Sequence, residues 1–253
     1  TELNEAFAAA AGQRIDSSLA RAVTSAKISK DDADRARNQI RVVIGLDDLA
    51  DRDLVVEAAT ENEDLKLKVF AELDRIVADP AAILASNTSS IPIAKLATAT
   101  GRPENVIGIH FFNPAPVMKL VEVIPSMLTG AGTAQRVVDF ITGVGKEVVQ
   151  AEDRAGFVVN ALLVPFMLSA IRMLEAGHAT AEDIDKGMVL GCSHPMGPLR
   201  LADLSGLDTA KAAAESMYRE YGEPQYKPPA LLSRMVEAGL LGRKTGRGFY
   251  VYD

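Results

Sequence analysis

Val106-Ile107-Gly108-Ile109-His110-Phe111-Phe112-Asn113-Pro114 decides how the first half of the chain is read. Its first four residues form a short run with no polar alternation, the signature of a strand covered on both faces. The polar group that follows, closed by proline, marks the strand's carboxyl end. Working outward, the same unit recurs. Upstream lie Ile83-Leu84-Ala85, followed by Ser86-Asn87-Thr88-Ser89-Ser90, and Leu54-Val55-Val56-Glu57-Ala58, followed by Glu61-Asn62. Downstream lie Leu120-Val121-Glu122-Val123 and the strand from Lys146 to Gln150. Ile40-Arg41-Val42-Val43-Ile44 reads as one more β-branched run. Helical spacing separates the runs: one long helix over 5–28 (Phe7, Ile15, Leu19, Val23), one with apolar residues from 65 to 77 that stops before Asp79-Pro80, and one over 133–143. Buried strands alternating with helices predict a Rossmann-like, doubly wound α/β domain built on a parallel sheet.

From about residue 151 the pattern changes. Helices are expected over 156–176, 180–190, 198–221 and 228–239, followed by the basic loop Leu241-Gly242-Arg243-Lys244-Thr245-Gly246-Arg247-Gly248. The expected division is an α/β domain over 1–151 and an all-α domain over 152–253.

Composition narrows the function. The 253 residues carry 27 Lys+Arg against 34 Asp+Glu, a net charge of −7, which argues against a protein held to nucleic acid by bulk charge. The single cysteine, Cys192, leaves no intrachain disulfide and no Cys-built zinc site, and suits a reducing, cytoplasmic setting. The start, Thr1-Glu2-Leu3-Asn4-Glu5, has no secretory character. The longest apolar stretch, Phe157 to Leu174, is interrupted by Asn160, Pro165, Ser169 and Arg172, so it reads as a helix buried in protein rather than a membrane span.

The polar residues of the first domain fall at carboxyl ends of strands, the edge where open α/β sheets bind ligands. Each group alone has a plain explanation: the serine-rich run is a common turn composition, and a single histidine is usually structural. His110 is nevertheless the one histidine of three placed at a strand end. Glu122, on the next strand, is the nearby carboxylate that would hold one tautomer and raise the ring's basicity, unless it pairs with Lys119 or is solvated. No second histidine lies at ligand spacing, so no metal is expected. Asn160, inside an apolar helix, either joins a structural network or meets a substrate carbonyl.

His110 through Val123 resembles the signature block of the L-3-hydroxyacyl-CoA dehydrogenases. Ala85-Ser86-Asn87-Thr88-Ser89-Ser90, Gly156-Phe157-Val158-Val159-Asn160, Ser193-His194-Pro195-Met196-Gly197-Pro198, Gly206-Leu207-Asp208-Thr209 and Lys244 to Tyr250 extend the similarity along the whole chain. The resemblance is nearest to the stand-alone bacterial members acting on 3-hydroxybutyryl-CoA. It implies His110 as general base and Glu122 as its partner, Ser89 on the substrate hydroxyl, and Asn160 at the reacting region of the acyl-CoA. It implies NAD as cofactor, contacted by Glu61, Lys66, Ser89, Asn113 and Lys244. Ser18 matches a position touching the CoA part, with Ser25 or Lys27 in place of the basic residue that should follow. A homodimer through the helical domain is also implied.

Two departures stand out. No glycine-rich dinucleotide fingerprint occurs in these residues. The family's first strand, GxGxxG turn, helix and second strand, about 30 residues of a βαβ unit, are expected to precede Thr1 in the intact protein. Ala161 also stands where many relatives carry arginine. Two other readings remain at this point: another β-hydroxyacid dehydrogenase of related plan, relying on a catalytic lysine, and a non-catalytic crystallin-like or acyl-CoA-binding member of the fold.

Overall fold

The computed structural model describes residues 1–252. A five-stranded sheet has the order β1 (Leu54–Glu57), β2 (Ile83–Ser86), β3 (Val106–Phe111), β4 (Leu120–Ile124), β5 (Glu147–Gln150). The pairs β1–β2, β2–β3 and β4–β5 are parallel, but β3–β4 is antiparallel. The expectation of a wholly parallel sheet is corrected at this pair. The connection over residues 112–119 is shorter than the dozen or so residues that a parallel crossover needs. Close packing of the two strands requires Gly108: a Cβ there would sit 2.9 Å from the Cβ of Ile124 and 2.9 Å from Ile93 Cδ1.

Both faces of the sheet are covered, which is why its strands lack polar alternation. One face packs Leu84, Val106 and Ile124 beneath Phe70 and Leu73 of α3 (Glu63–Ile76) and Ile93 and Leu96 of α4 (Ile93–Ala97). The other packs Ile83, Ala85, Ile107, Ile109 and Val123 beneath Val137 and Ile141 of α5 (Ala131–Gly143).

The long helix expected over 5–28 is α1 (Glu5–Thr24), and a further helix that the spacing does not show, α2 (Lys30–Gln39), follows it. The break falls where Ala26 is left-handed (φ 54°) and the Ser29 hydroxyl accepts the Asp32 N–H to cap α2. The run at 40–44 is not a strand. Ile44 makes a single bridge to Glu2, and Ile40 and Ile44 are exposed; β propensity without a neighbouring strand to pair with does not build a ladder.

The helical domain comprises α6 (Val159–Glu175), α7 (Ala181–Cys192), α8 (Pro198–Ser205), α9 (Leu207–Tyr221) and α10 (Ala230–Glu237). Its core joins Val164, Leu168 and Ile171 of α6 to Leu199, Met217 and Leu232. The helix expected over 198–221 divides at Gly206, whose φ of +95° leaves the helical region. The helix expected from 156 begins at Val159, because Gly156 and Phe157 are left-handed (φ +83° and +46°). Two buried aspartates fasten the C-terminal segment. Asp203 accepts the N–H groups of Phe249 and Tyr250 and the Tyr252 hydroxyl, while Asp185 caps α8 and accepts the Tyr250 hydroxyl. Among the described residues, no helix is long and apolar enough to cross a membrane.

Candidate active site

The antiparallel register of β3 and β4 sets His110 directly opposite Glu122. Directly opposed residues on one face of such a pair hold their Cβ atoms about 5 Å apart, close enough for side chains to meet. His110 Nδ1 lies 2.7 Å from Glu122 Oε2, and both side chains are buried. Neither alternative for Glu122 holds: it is fully buried, and its partner is His110 rather than Lys119 or solvent. The other carboxylate oxygen accepts the N–H groups of Val158 and Val159 at the start of α6, at 3.0 and 2.9 Å. An acceptor so placed fixes the proton on Nδ1 and leaves the Nε2 lone pair available. Nε2 has no hydrogen-bond partner among the described residues. Phe112 stands edge-on to the imidazole at 4.8 Å between ring centroids and Phe157 lies tilted at 5.5 Å, walls that limit water around the ring.

The loop after β2 is organised by Glu61. One oxygen of that carboxylate accepts the Thr88 and Ser90 hydroxyls, at 2.5 and 2.9 Å, and the Ser89 and Ser90 N–H groups, each at 3.0 Å. Burial pushes the Glu61 carboxyl up, but the hydrogen bonds from Thr88 and Ser90 and the Lys66 ammonium outweigh it and hold its pKa below the ordinary value. The Ser89 hydroxyl, half-buried, has only a long 3.4 Å contact to Glu61 and so keeps its capacity for a ligand.

Lys66 is held inside the protein. It is fully buried, its ammonium donates to both oxygens of Glu57 (2.7 and 2.8 Å) and to the Ala59 carbonyl (3.2 Å), and it approaches Glu61 to 3.7 Å. An ammonium has three protons, and the protein takes all three. The Lys244 ammonium is bound by both carboxylate oxygens of Asp208, at the start of α9. Asn113 is exposed in the loop after β3. Asn160, on the first turn of α6, is half-buried, and its side chain makes no hydrogen bond within the described residues. Ser18 lies half-buried on α1 and makes no hydrogen bond to the strand-end cluster. Of its two candidate neighbours, Ser25 spends its hydroxyl on the Arg21 and Ala22 carbonyls and Lys27 is exposed.

Three residues of this edge escaped the sequence reading. Glu57 anchors Lys66 and accepts the Ser86 hydroxyl at 2.7 Å; a lone carboxylate within an otherwise apolar strand was its signal. Asn87 accepts the Phe111 N–H at 2.9 Å, tying the loop after β2 to the end of β3. Lys146 donates to the Ala115 and Met118 carbonyls at 2.7 and 2.8 Å and clamps the loop that carries Asn113; nothing local in the sequence announces that contact.

Comparison with known proteins agrees along the whole chain. Residues 1–154 match 3-hydroxyacyl-CoA dehydrogenase, NAD binding domain, and residues 156–252 match 3-hydroxyacyl-CoA dehydrogenase, C-terminal domain. A 3-hydroxybutyryl-CoA dehydrogenase of Mycobacterium tuberculosis is 57% identical over 98% of this chain and 87% of its own length. One of Bradyrhizobium diazoefficiens is 46% identical over 94% of this chain and 81% of its own. The crystal structure of (S)-3-hydroxybutyryl-CoA dehydrogenase PaaH1 from Ralstonia eutropha superposes with a TM-score of 0.93 at 45% identity, covering 99% of this chain and 88% of that one. The chain belongs to the 3-hydroxyacyl-CoA dehydrogenase family.

Proposed function

We propose that the protein oxidises a short-chain (3S)-3-hydroxyacyl-CoA, 3-hydroxybutyryl-CoA in the first place, reversibly to the 3-oxoacyl-CoA with NAD. The observation that carries the reading is the buried pair of His110 and Glu122 with Nε2 left free at the junction of the two domains. A ring with its Nδ1 proton committed to a carboxylate is poised to take a proton at Nε2. His110 accepts the proton of the substrate's 3-hydroxyl group, and Glu122 stabilises the imidazolium that results. Ser89 holds the same hydroxyl oxygen, and Asn160, free of internal partners, meets the acyl carbonyl. NAD, when bound, supplies the acceptor for the hydride that leaves C3.

The free polar groups on this edge suit a nicotinamide nucleotide: the Ser89 hydroxyl and the exposed Asn113 amide match neutral amide and ribose hydroxyl groups. Glu61, partly open to solvent, is the carboxylate that would border the ribose. Lys66 then contributes indirectly, by holding Glu57 and Glu61. The helical domain would pair with a second copy of the chain through the exposed apolar side chains of α6 and α7. The lone cysteine, Cys192, fits work in the reducing cytoplasm.

The test is NADH oxidation with acetoacetyl-CoA by the intact protein. The expected result is turnover that is lost in His110→Ala; a folded, NADH-binding protein with no turnover would remove the proposal. Retained turnover in His110→Ala would favour a lysine-based dehydrogenase instead.

A further inference from the structure

We infer that the main-chain N–H groups of Val158 and Val159 are positioning groups for the proton relay, making the geometry of Glu122 and His110 depend on how the helical domain is docked. The inference rests on the dehydrogenase reading above. Glu122 belongs to β4 of the first domain, whereas Val158 and Val159 open α6, whose core partners lie in the second. One oxygen of Glu122 faces His110 and the other faces these two N–H groups, so a single carboxylate spans the domain boundary.

The chain is shaped to present those donors. Gly156 and Phe157 are left-handed, and Val158 returns to the right-handed region (φ −98°, ψ −56°). Alternation of hand over consecutive residues turns successive N–H groups toward one point, an anion-binding concavity, here reinforced by the positive end of the α6 dipole. The turn is pinned on both sides. Asp153 accepts the Ile93 and Ala94 N–H groups of α4, each at 2.7 Å. On the other side Glu220 accepts the Ala155 N–H and the Tyr221 hydroxyl donates to the Ala155 carbonyl, each at 2.9 Å. The same turn carries Phe157 against the imidazole and Asn160 one residue beyond the amide pair. A displaced α6 therefore withdraws the support of Glu122, the wall of His110 and Asn160 together.

The alternative is that Glu122 merely caps α6 and the amides serve stability alone. The experiment replaces the Val159 amide N–H by an ester oxygen, using 2-hydroxyisovaleric acid in place of valine, in the wild type and in Glu122→Gln. Loss of one hydrogen bond to a charged group is expected to lower kcat about tenfold with acetoacetyl-CoA and NADH. The NADH Kd, read by fluorescence titration, should stay within about twofold, and the ester should cost less than about twofold in kcat in the Glu122→Gln background, since the two changes act through one group. An equal loss in both backgrounds, or no loss in the wild type, overturns the inference while leaving the dehydrogenase reading intact. An inactive wild type instead overturns the reading on which it rests.

Discussion

At the scale of single residues, the chemistry concentrates in the carboxylate of Glu122. It is fully buried and shares its two oxygens between an imidazole and two main-chain amides. Glu122→Gln keeps the shape, but it puts a neutral group where an imidazolium must be stabilised. Turnover should fall about a hundredfold or more, with a smaller change in KM for acetoacetyl-CoA, because the lost interaction strengthens only as His110 gains its proton. Steady-state kinetics at saturating NADH checks this; a loss confined to KM would contradict it. Glu61 supports a pH prediction. Its folded pKa lies below the unfolded value near 4.5, so its contribution to stability is present above that value and is lost as pH falls through the depressed one. Thermal unfolding of Glu61→Gln should therefore show a shallower acid-side decline than the wild type. How much of this was legible in sequence differs residue by residue. His110 stood out as the one histidine of three at a strand end, and Glu122 as the carboxylate on the next strand. For Lys66 and Lys244 the sequence does not show that the ammonium has a carboxylate partner, and here Glu57 and Asp208 bind them.

At the scale of elements, periodicity found the buried strands and most helices but not α2, α4 or the direction of β4. The β3–β4 pair is antiparallel because its link is short, and only that arrangement sets position 110 against position 122. Sequence breaks at Gly156 and Gly206 were similarly hidden inside helical spacing, since one residue with positive φ ends a helix without disturbing the apolar pattern around it. Gly156 allows a direct test. A Cβ there would meet Met217 Cε at 2.9 Å and the Ala161 N at 3.0 Å, at a φ of +83°. Gly156→Ala should destabilise the fold by about 1–3 kcal/mol, read from the denaturant midpoint. The C-terminal segment provides an alkaline test. Burial, and then the hydrogen bond to Asp203, push the Tyr252 hydroxyl up to about 12 from 10. A raised folded pKa gives stability that is fully present below the unfolded value and is lost as pH rises toward the folded one. Tyr252→Phe should thus be less stable than the wild type at neutral pH and converge on it between pH 10 and about 12. Thermal unfolding across that window would show parallel curves if the hydroxyl were inert.

At the scale of the whole molecule, the two cores meet at the turn before α6, so surfaces left open on the helical domain shape what the site experiences. Val158, Leu162 and Met173 are exposed at spacings that fall on one side of α6, with Leu162 at 73%. Phe166, between them, lies tilted against His194 just beyond α7, and Leu190 of α7 is 72% exposed. Exposed apolar side chains on two neighbouring helices are costly in water and are the kind of surface that pairs with a copy of itself. Leu162→Glu should convert a dimer into a monomer, because a closed two-fold contact places the new charge against its own counterpart in a desolvated interface. Multi-angle light scattering at micromolar concentration reads the result directly, and a wild type already monomeric there would defeat the proposal. The same variant connects this scale to the residue scale. If pairing steadies α6, and α6 steadies Glu122 through the Val158 and Val159 amides, then the monomeric variant should lose kcat in proportion more than it loses NADH affinity. Should Leu162→Glu become monomeric and keep full kcat, the α6 turn is held by its own domain contacts through Asp153, Glu220 and Tyr221, and the relay is independent of assembly.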